Sequence, residues 1–124
     1  MTQIVMDLDN TICISNGDYA KARPKVDVIK KLRDYKKQGF HITIHTARNM
    51  NSFKKNVGLI NVHTLPIILK WLDENDVPYD EVIIGKPWCG VNGFYVDDRA
   101  IRPDEFVGLD FEGIQALLSR NELK

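Results

Sequence analysis

The sequence predicts an α/β protein: a three-layer sandwich in which helices cover both faces of a mostly parallel sheet. Three observations predict it. Short apolar or alternating segments at residues 4–6, 40–44, 82–84 and 93–96 are separated by stretches with helical periodicity. Two of those segments are apolar on both faces, as parallel strands are when helices cover them on each side. The length, 124 residues, suits one domain with a substantial core, read here as a single domain over 1–124.

The elements follow in order. Ile4, Val5 and Met6 form a first strand that runs directly into Asp7-Leu8-Asp9-Asn10-Thr11. Residues 12–19 alternate weakly around Asn16-Gly17, which predicts a small hairpin flap over about 12–22. Pro24 suits the first turn of a helix with Val28, Ile29, Leu32 and Tyr35 on one face, and Gly39 stops it. Phe40, Ile42 and Ile44 alternate with His41, Thr43 and His45 in a second strand ending at Thr46-Ala47-Arg48-Asn49. Residues 49–63 are polar and irregular and read as a loop. Thr64 is a plausible N-cap for a helix to about Asn75, with Pro66 in its first turn and Leu65, Ile68, Leu69 and Leu72 as the buried stripe. Residues 82–84 form a third strand, closed by Gly85-Lys86-Pro87. Residues 93–96 form a fourth, closed by Asp97-Asp98-Arg99. A last helix over about 111–120 packs Ile114, Leu117 and Leu118.

Composition excludes several classes. Seventeen basic residues balance seventeen acidic ones, which argues against nucleic-acid or membrane-surface binding through bulk charge. No basic start precedes the first apolar run, and no stretch reaches the roughly 20 apolar residues of a membrane span, so a cytoplasmic protein is expected. Cys13 and Cys89 are too few for a disulfide scaffold and read as free thiols. The histidines and cysteines lack close metal-ligand spacing, which rejects zinc.

In open parallel α/β sheets ligands bind beyond the carboxyl ends of the strands. Four predicted strands end in Asp-x-Asp-x-Thr, Thr, Lys and Asp-Asp, so carboxylates, a hydroxyl and an ammonium are delivered to one sheet edge. An Asp-x-Asp pair alone is commonly a turn or cap. The full complement points to phosphate chemistry. A phosphate monoester adds about two negative charges to those of Asp7, Asp97 and Asp98, which Lys86 alone cannot offset; Mg²⁺, which prefers carboxylate, water and phosphate oxygens, is therefore expected. Asp7 suits a nucleophile forming an aspartyl-phosphate, and Asp9 a general acid and base. Thr46 and the backbone N–H groups after it can hold phosphoryl oxygens, and Lys86 supplies fixed positive charge.

On these motifs the chain resembles the haloacid dehalogenase superfamily, along nearly its whole length: Asp7-Leu8-Asp9-Asn10-Thr11, Thr46 after Ile42-Thr43-Ile44-His45, Lys86, and Asp97-Asp98. The resemblance implies a Rossmann-like sheet, nucleophile Asp7, acid/base Asp9, and phosphate ligands Thr46 and Lys86. It implies Mg²⁺ held by Asp7, the backbone carbonyl of Asp9, and Asp97, with Asp98 acting through water or orienting Lys86. Asn10, Ala47, Arg48 and Trp88 are the candidate substrate contacts. A closer likeness, through Thr46-Ala47-Arg48-Asn49-Met50, residues 60–66 and Gly85-Lys86-Pro87-Trp88-Cys89-Gly90, is to small phosphatases of capsule and surface-polysaccharide biosynthesis. It implies a bacterial source and a phosphorylated sugar, polyol or amino-alcohol as substrate. The flap and residues 47–85 leave no room for a cap domain, so an open site and a homo-oligomer that helps exclude water are expected.

Each residue also has a plainer reading. Arg48 is equally an ordinary loop arginine; Arg99 and Arg102 suit ion pairs with Asp98 or Asp104. By strand alternation His45 points away from the site, and His41 and His63 suit packing or capping. Trp71 falls at the edge of the core, while Trp88 can wall a substrate site. Lys54 and Lys55 read as a solvated pair or as contacts to a polyanion. A receiver-like phospho-aspartate signalling domain uses similar groups, but its acidic pair follows the first strand and its phosphoacceptor the third, where this chain has Lys86. A catalytically silent phosphate-binding scaffold is the other alternative.

Overall fold

The computed structural model describes residues 2–121. Chain contacts divide the protein into two compact units, Met1–Trp88 and Cys89–Lys124.

The first unit is built on a three-stranded parallel sheet. Strands β1 (Gln3–Met6), β4 (His41–His45) and β5 (Glu81–Ile83) lie in the order β1-β4-β5. Val5 is opposite Thr43, and Thr43 opposite Glu81. The first three predicted strands are thus present, with ends shifted by about a residue. One sheet face carries Met6, Ile42 and Ile44, which are buried. The other carries Val5 and Ile83, which are 58% and 46% exposed, around a polar chain in which Gln3 Nε2 donates to Thr43 Oγ1 and that hydroxyl donates to Glu81 Oε1.

Helix α1 (Val26–Lys37) buries Val28, Ile29, Leu32 and Tyr35, the stripe its periodicity predicts. Gly39, at φ 93°, ends it in a left-handed turn open to glycine without strain. Pro24 lies before the helix, in a two-stranded antiparallel ribbon of β2 (Cys13–Ile14) and β3 (Arg23–Pro24). The flap is therefore real, but its strands are joined by a loop holding a 3₁₀ turn at Tyr19–Lys21, rather than by a two-residue turn at Asn16-Gly17.

Two differences concern residues 49–75. The segment expected to be a loop contains α2 (Val57–His63), begun by the Asn56 side chain accepting the Leu59 N–H at 3.1 Å. Its Val57, Leu59 and Val62 are exposed and only Ile60 is buried, so it carries no apolar stripe to reveal it. Helix α3 (Leu65–Glu74) follows with Pro66 in its first turn, as predicted. Its buried residues are Ile68, Trp71 and Leu72. Trp71 belongs to the core rather than its edge: it is 3% exposed and its Nε1–H donates to the Ala22 carbonyl at 2.8 Å. Thr64 makes no capping bond; its hydroxyl donates to Asn49 Oδ1 at 2.7 Å and closes the intervening loop. Arg33 of α1 donates to the carbonyls of Asn75 and Asp76, tying the two long helices together at the end of α3.

The second unit contains α4 (Pro103–Gly108) and α5 (Phe111–Leu118). Asp110 caps α5 by accepting the Gly113 N–H at 2.8 Å. Phe106 and Ile114 are buried; Leu117 and Leu118 are only half-buried. The predicted fourth strand is not formed: residues 93–96 pair with no strand among the described residues, and Phe94 and Val96 are 80% and 88% exposed. An apolar run becomes a strand only where a neighbouring edge pairs with it, a condition that composition does not report. Among the described residues no helix is long and apolar enough to cross a membrane.

Candidate active site

The chain leaves β1 through a tight turn around Leu8. The Leu8 side chain is 1% exposed, and its carbonyl accepts the N–H groups of Thr11, Ile12 and Cys13 at 3.2, 2.9 and 3.3 Å. Burying Leu8 leaves Asp7 and Asp9, on either side of it, at the half-buried lip of the turn. Asn10 occupies the left-handed position at φ 63°, exposed, its N–H donated to the Cys13 carbonyl at 2.7 Å. The Thr11 hydroxyl donates to Asp7 Oδ2 at 3.3 Å.

Two backbone hydrogen bonds carry the β4–β5 pairing past the strand ends. The Thr46 N–H donates to the Ile83 carbonyl at 3.0 Å, and the Lys86 N–H donates to the Thr46 carbonyl at 3.1 Å. Between β5 and Lys86 the chain bends at Gly85, φ 87°, where an added Cβ would meet Val57 Cγ2 at 3.3 Å. The result is that Lys86 Nζ stands 3.6 Å from Asp7 Oδ1, with the two side chains 22% and 37% exposed. The neighbouring His45 titrates below its ordinary value, first through burial and then through the Lys86 charge, partly offset by Asp7. Alternation sends His45 to the other face, yet the field of the two site groups reaches it.

Asp9 is held differently. Arg48 Nη2 donates to Asp9 Oδ1 at 2.8 Å and Nε donates to Oδ2 at 3.2 Å, a fork with matched planar geometry. The Arg48 side chain is 1% exposed and the Asp9 side chain 29%. The guanidinium also lies 4.1 Å over the Tyr19 ring, and its Nη1 is buried without a hydrogen-bond acceptor. Arg48 therefore spends its polar atoms on Asp9 and the flap, and it touches the site through that carboxylate. The Thr46 hydroxyl is 1% exposed and accepts the Arg48 N–H at 3.0 Å, shaping the turn that aims the arginine. Ala47 is half-buried in the same turn. Beside this pair, burial and then the Asp9 charge push the Cys13 thiol up to about 11, against a lowering by Arg48.

A cleft of about 440 Å³ is lined by Met50, Asn51, Lys54, Lys55, Pro87 and Trp88. Trp88 is 46% exposed, and Pro87 and Trp88 directly follow Lys86 in the sequence. Asp97 and Asp98 belong to the second unit. Both are exposed; Asp97 Oδ1 accepts the Arg99 N–H at 2.7 Å, and the two line a recess of about 30 Å³ with Glu105 and Arg120.

The first unit thus brings together Asp7, Asp9, Thr46, Arg48 and Lys86, while Asp97 and Asp98 form their own group. Among the described residues no three carboxylate, imidazole or thiol side chains cluster as a metal-binding group. The donor set nonetheless suits Mg²⁺, which keeps several waters and takes one or two carboxylates with phosphate oxygens. The contacts of Asp7 with Lys86 and Thr11 are long, so its lone pairs are available. The Asp9 carboxylate is committed to Arg48, leaving its backbone carbonyl to serve. Thr11, Tyr19 and Cys13 also belong to the site. Thr11 has a sequence signal, four residues after Asp7; Tyr19 and Cys13 have none, because the flap that places them is irregular.

No family model matches the chain, and no curated protein matches it. Among solved structures it is similar to a crystal structure of an MCSG target from Vibrio cholerae. The two share 52% sequence identity with a TM-score of 0.95, over 97% of this chain and 98% of that one. This chain belongs to the same family as that protein. A chain of a Pnkp1/Rnl/Hen1 complex is similar in fold alone, with 15% identity and a TM-score of 0.51, over 98% of this chain and 35% of that one.

Proposed function

We propose that the protein is a Mg²⁺-dependent phosphomonoesterase of the haloacid dehalogenase type, acting through an aspartyl-phosphate. The observation that carries this reading is the Lys86–Asp7 pair at 3.6 Å, set where parallel strands β1 and β5 end and linked through the backbone to Thr46 at the end of β4. A half-buried carboxylate beside an ammonium, with a hydroxyl holding its second oxygen, is suited to attack phosphorus while the cation binds a phosphoryl oxygen.

In the first step Asp7 forms a bond to phosphorus and the bond to the leaving alkoxide breaks, with Asp9 giving the alkoxide a proton. In the second, water attacks the same phosphorus, Asp9 takes the water's proton, and inorganic phosphate leaves with Asp7 restored. Both Asp9 oxygens accept from Arg48, one hydrogen bond each, which leaves each a second lone pair through which a proton can pass. Arg48 is on this reading a positioning residue for the acid. Bound Mg²⁺, held by Asp7 and the Asp9 carbonyl, would offset the repulsion between the attacking carboxylate and the phosphate.

The cleft lined by Lys54, Lys55 and Trp88 offers an indole and two ammonium groups, which suit a sugar or polyol phosphate, in keeping with a precursor of a bacterial surface glycan. α2 and α3 occupy the stretch between Thr46 and Lys86, which supports a capless site. The test is phosphate release from a panel of sugar, polyol, amino-alcohol and nucleotide phosphates with Mg²⁺ present. Wild type is expected to turn over at least one class and Asp7→Asn none. Equal release by both would refute covalent catalysis at Asp7, and no release by wild type from any of them would refute the assignment.

A further inference from the structure

The cleft of about 440 Å³ lies wholly within the first unit, and its lining carries the ammonium groups of Lys54 and Lys55, the Asn51 carboxamide and the Trp88 indole, with no carboxylate. Both lysines are exposed, and among the described residues neither forms an ion pair. Their backbone is unusual, since Lys54 and Lys55 are consecutive left-handed residues at φ 52° and 65°. The Lys54 N–H donates to the Asn51 carbonyl at 3.2 Å and the Lys55 N–H to the Met50 carbonyl at 2.8 Å, which fixes both in that turn. Glycine or asparagine adopts this conformation with less strain, and exposed lysines bury nothing that would offset it. Two like charges on adjacent residues of a strained turn, beside an indole in one cleft, repel each other unless an anion sits with them.

We propose that this cleft holds a second anionic group, a phosphate or a carboxylate, carried on the leaving group of the phosphomonoester. A substrate with a single phosphate presents that group to Asp7 and Lys86, which leaves the two further cations of the cleft uncompensated. A leaving group with its own anion meets them, and its ring or chain lies against the indole. Trp88 is two residues beyond Lys86, so their Cα atoms are at most about 8 Å apart. The Met50 side of the cleft starts from the same place, because the Lys86 N–H donates to the Thr46 carbonyl at 3.1 Å and the Met50 N–H to the Ala47 carbonyl at 3.0 Å. A hexose with an anion at each end is long enough to reach from Lys86 into the cleft. The volume of the cleft and the balanced charge of the chain, seventeen basic residues against seventeen acidic, select a small anion over a polyanionic polymer. The affinity of the cleft for an anion stands on these groups alone; placing that anion on the leaving group rests on the phosphatase reading.

Intrinsic fluorescence tests the site without turnover. The chain has two tryptophans, Trp71 at 3% exposed and Trp88 at 46%, so a ligand in the cleft changes the solvent-exposed part of the emission. Glucose bisphosphate and phosphogluconate, each with a second anion, are titrated in chelator at low salt against glucose monophosphate. At least one of the first two is expected to half-saturate at about tenfold lower concentration than the monophosphate, the ratio that two exposed charge pairs supply. Lys54→Asn/Lys55→Asn removes both charges and suits the left-handed turn; it should bring that ratio to about one while keeping the circular dichroism and thermal midpoint of wild type. Lys54→Arg/Lys55→Arg should keep the preference. Equal half-saturation by all three ligands, no change in emission, or a preference that survives the asparagine pair overturns the proposal. With Mg²⁺ present, kcat/KM for phosphate release should favour the same ligand in wild type and not in the asparagine pair; equal kcat/KM beside unequal binding would refute the placement on the leaving group. A preference in binding with no phosphate release from any ligand retains the anion site and refutes the phosphatase reading instead.

Discussion

Replacing Arg48 by methionine keeps an unbranched apolar stem and removes the guanidinium, so it tests what the fork to Asp9 contributes. Two charge-assisted hydrogen bonds are lost, at 2.8 and 3.2 Å. Hydrogen bonds to charged groups are worth about 1.5–3 kcal/mol each when both partners are buried. Asp9 is 29% exposed, and water reclaims part of that loss when the arginine goes. The pairwise coupling is therefore about 2 kcal/mol, and the Tyr19 cation–π contact adds about 0.5–1 kcal/mol to the cost of the single variant. Arg48→Met should lose about 3 kcal/mol, a fall of roughly 10–20 °C in midpoint for a unit of this size. Urea unfolding followed by the fluorescence of buried Trp71, run on Arg48→Met, Asp9→Asn and the double variant, gives the coupling directly. A coupling below about 0.5 kcal/mol would refute the claim that this pair fixes the geometry of the site.

Four further outcomes are expected. Because the Cys13 thiol is raised from 9.0 to about 11, its protonated form is favoured by folding. Its contribution of about 2–3 kcal/mol is complete below pH 9 and lost as pH rises toward 11, so wild type should lose more stability than Cys13→Ala over that window. Alkylation at pH 8 should label Cys89 and spare Cys13, and equal labelling of native protein would contradict its burial. Asp9→Asn should lower phosphatase turnover by a factor of about 10² to 10⁴, most for substrates with poor leaving groups. A chelator should remove activity and Mg²⁺ restore it; full turnover in the chelator would exclude the metal from the reaction.

The parts of the fold legible in the sequence are those whose side chains answer to one dominant force. The stripe Val28, Ile29, Leu32, Tyr35 announces α1 because burial alone decides it, and Gly39 marks its end because its φ is one few other residues adopt. The run Phe40 to His45 announces β4 for the same reason. Helix α2 is hidden because three of its apolar residues face water and a cap at Asn56 begins it. Residues 93–96 read as a buried strand because composition reports a preference for burial and is silent about whether an edge pairs with them. In the site, Asp7 and Lys86 follow from strand ends. The engagement of Arg48 by Asp9 does not, because sequence gives the reach of an arginine but no acceptor for it.

The left-handed corner at Gly85 has a consequence for how the pocket keeps its polarity. Any L side chain there would carry a conformational strain of about 1–2 kcal/mol and press on Val57. The cheapest relief is to swing the following residue away. An engineer could silence the ammonium without altering one ionisable group, since its bearing is stored in the handedness of the main chain.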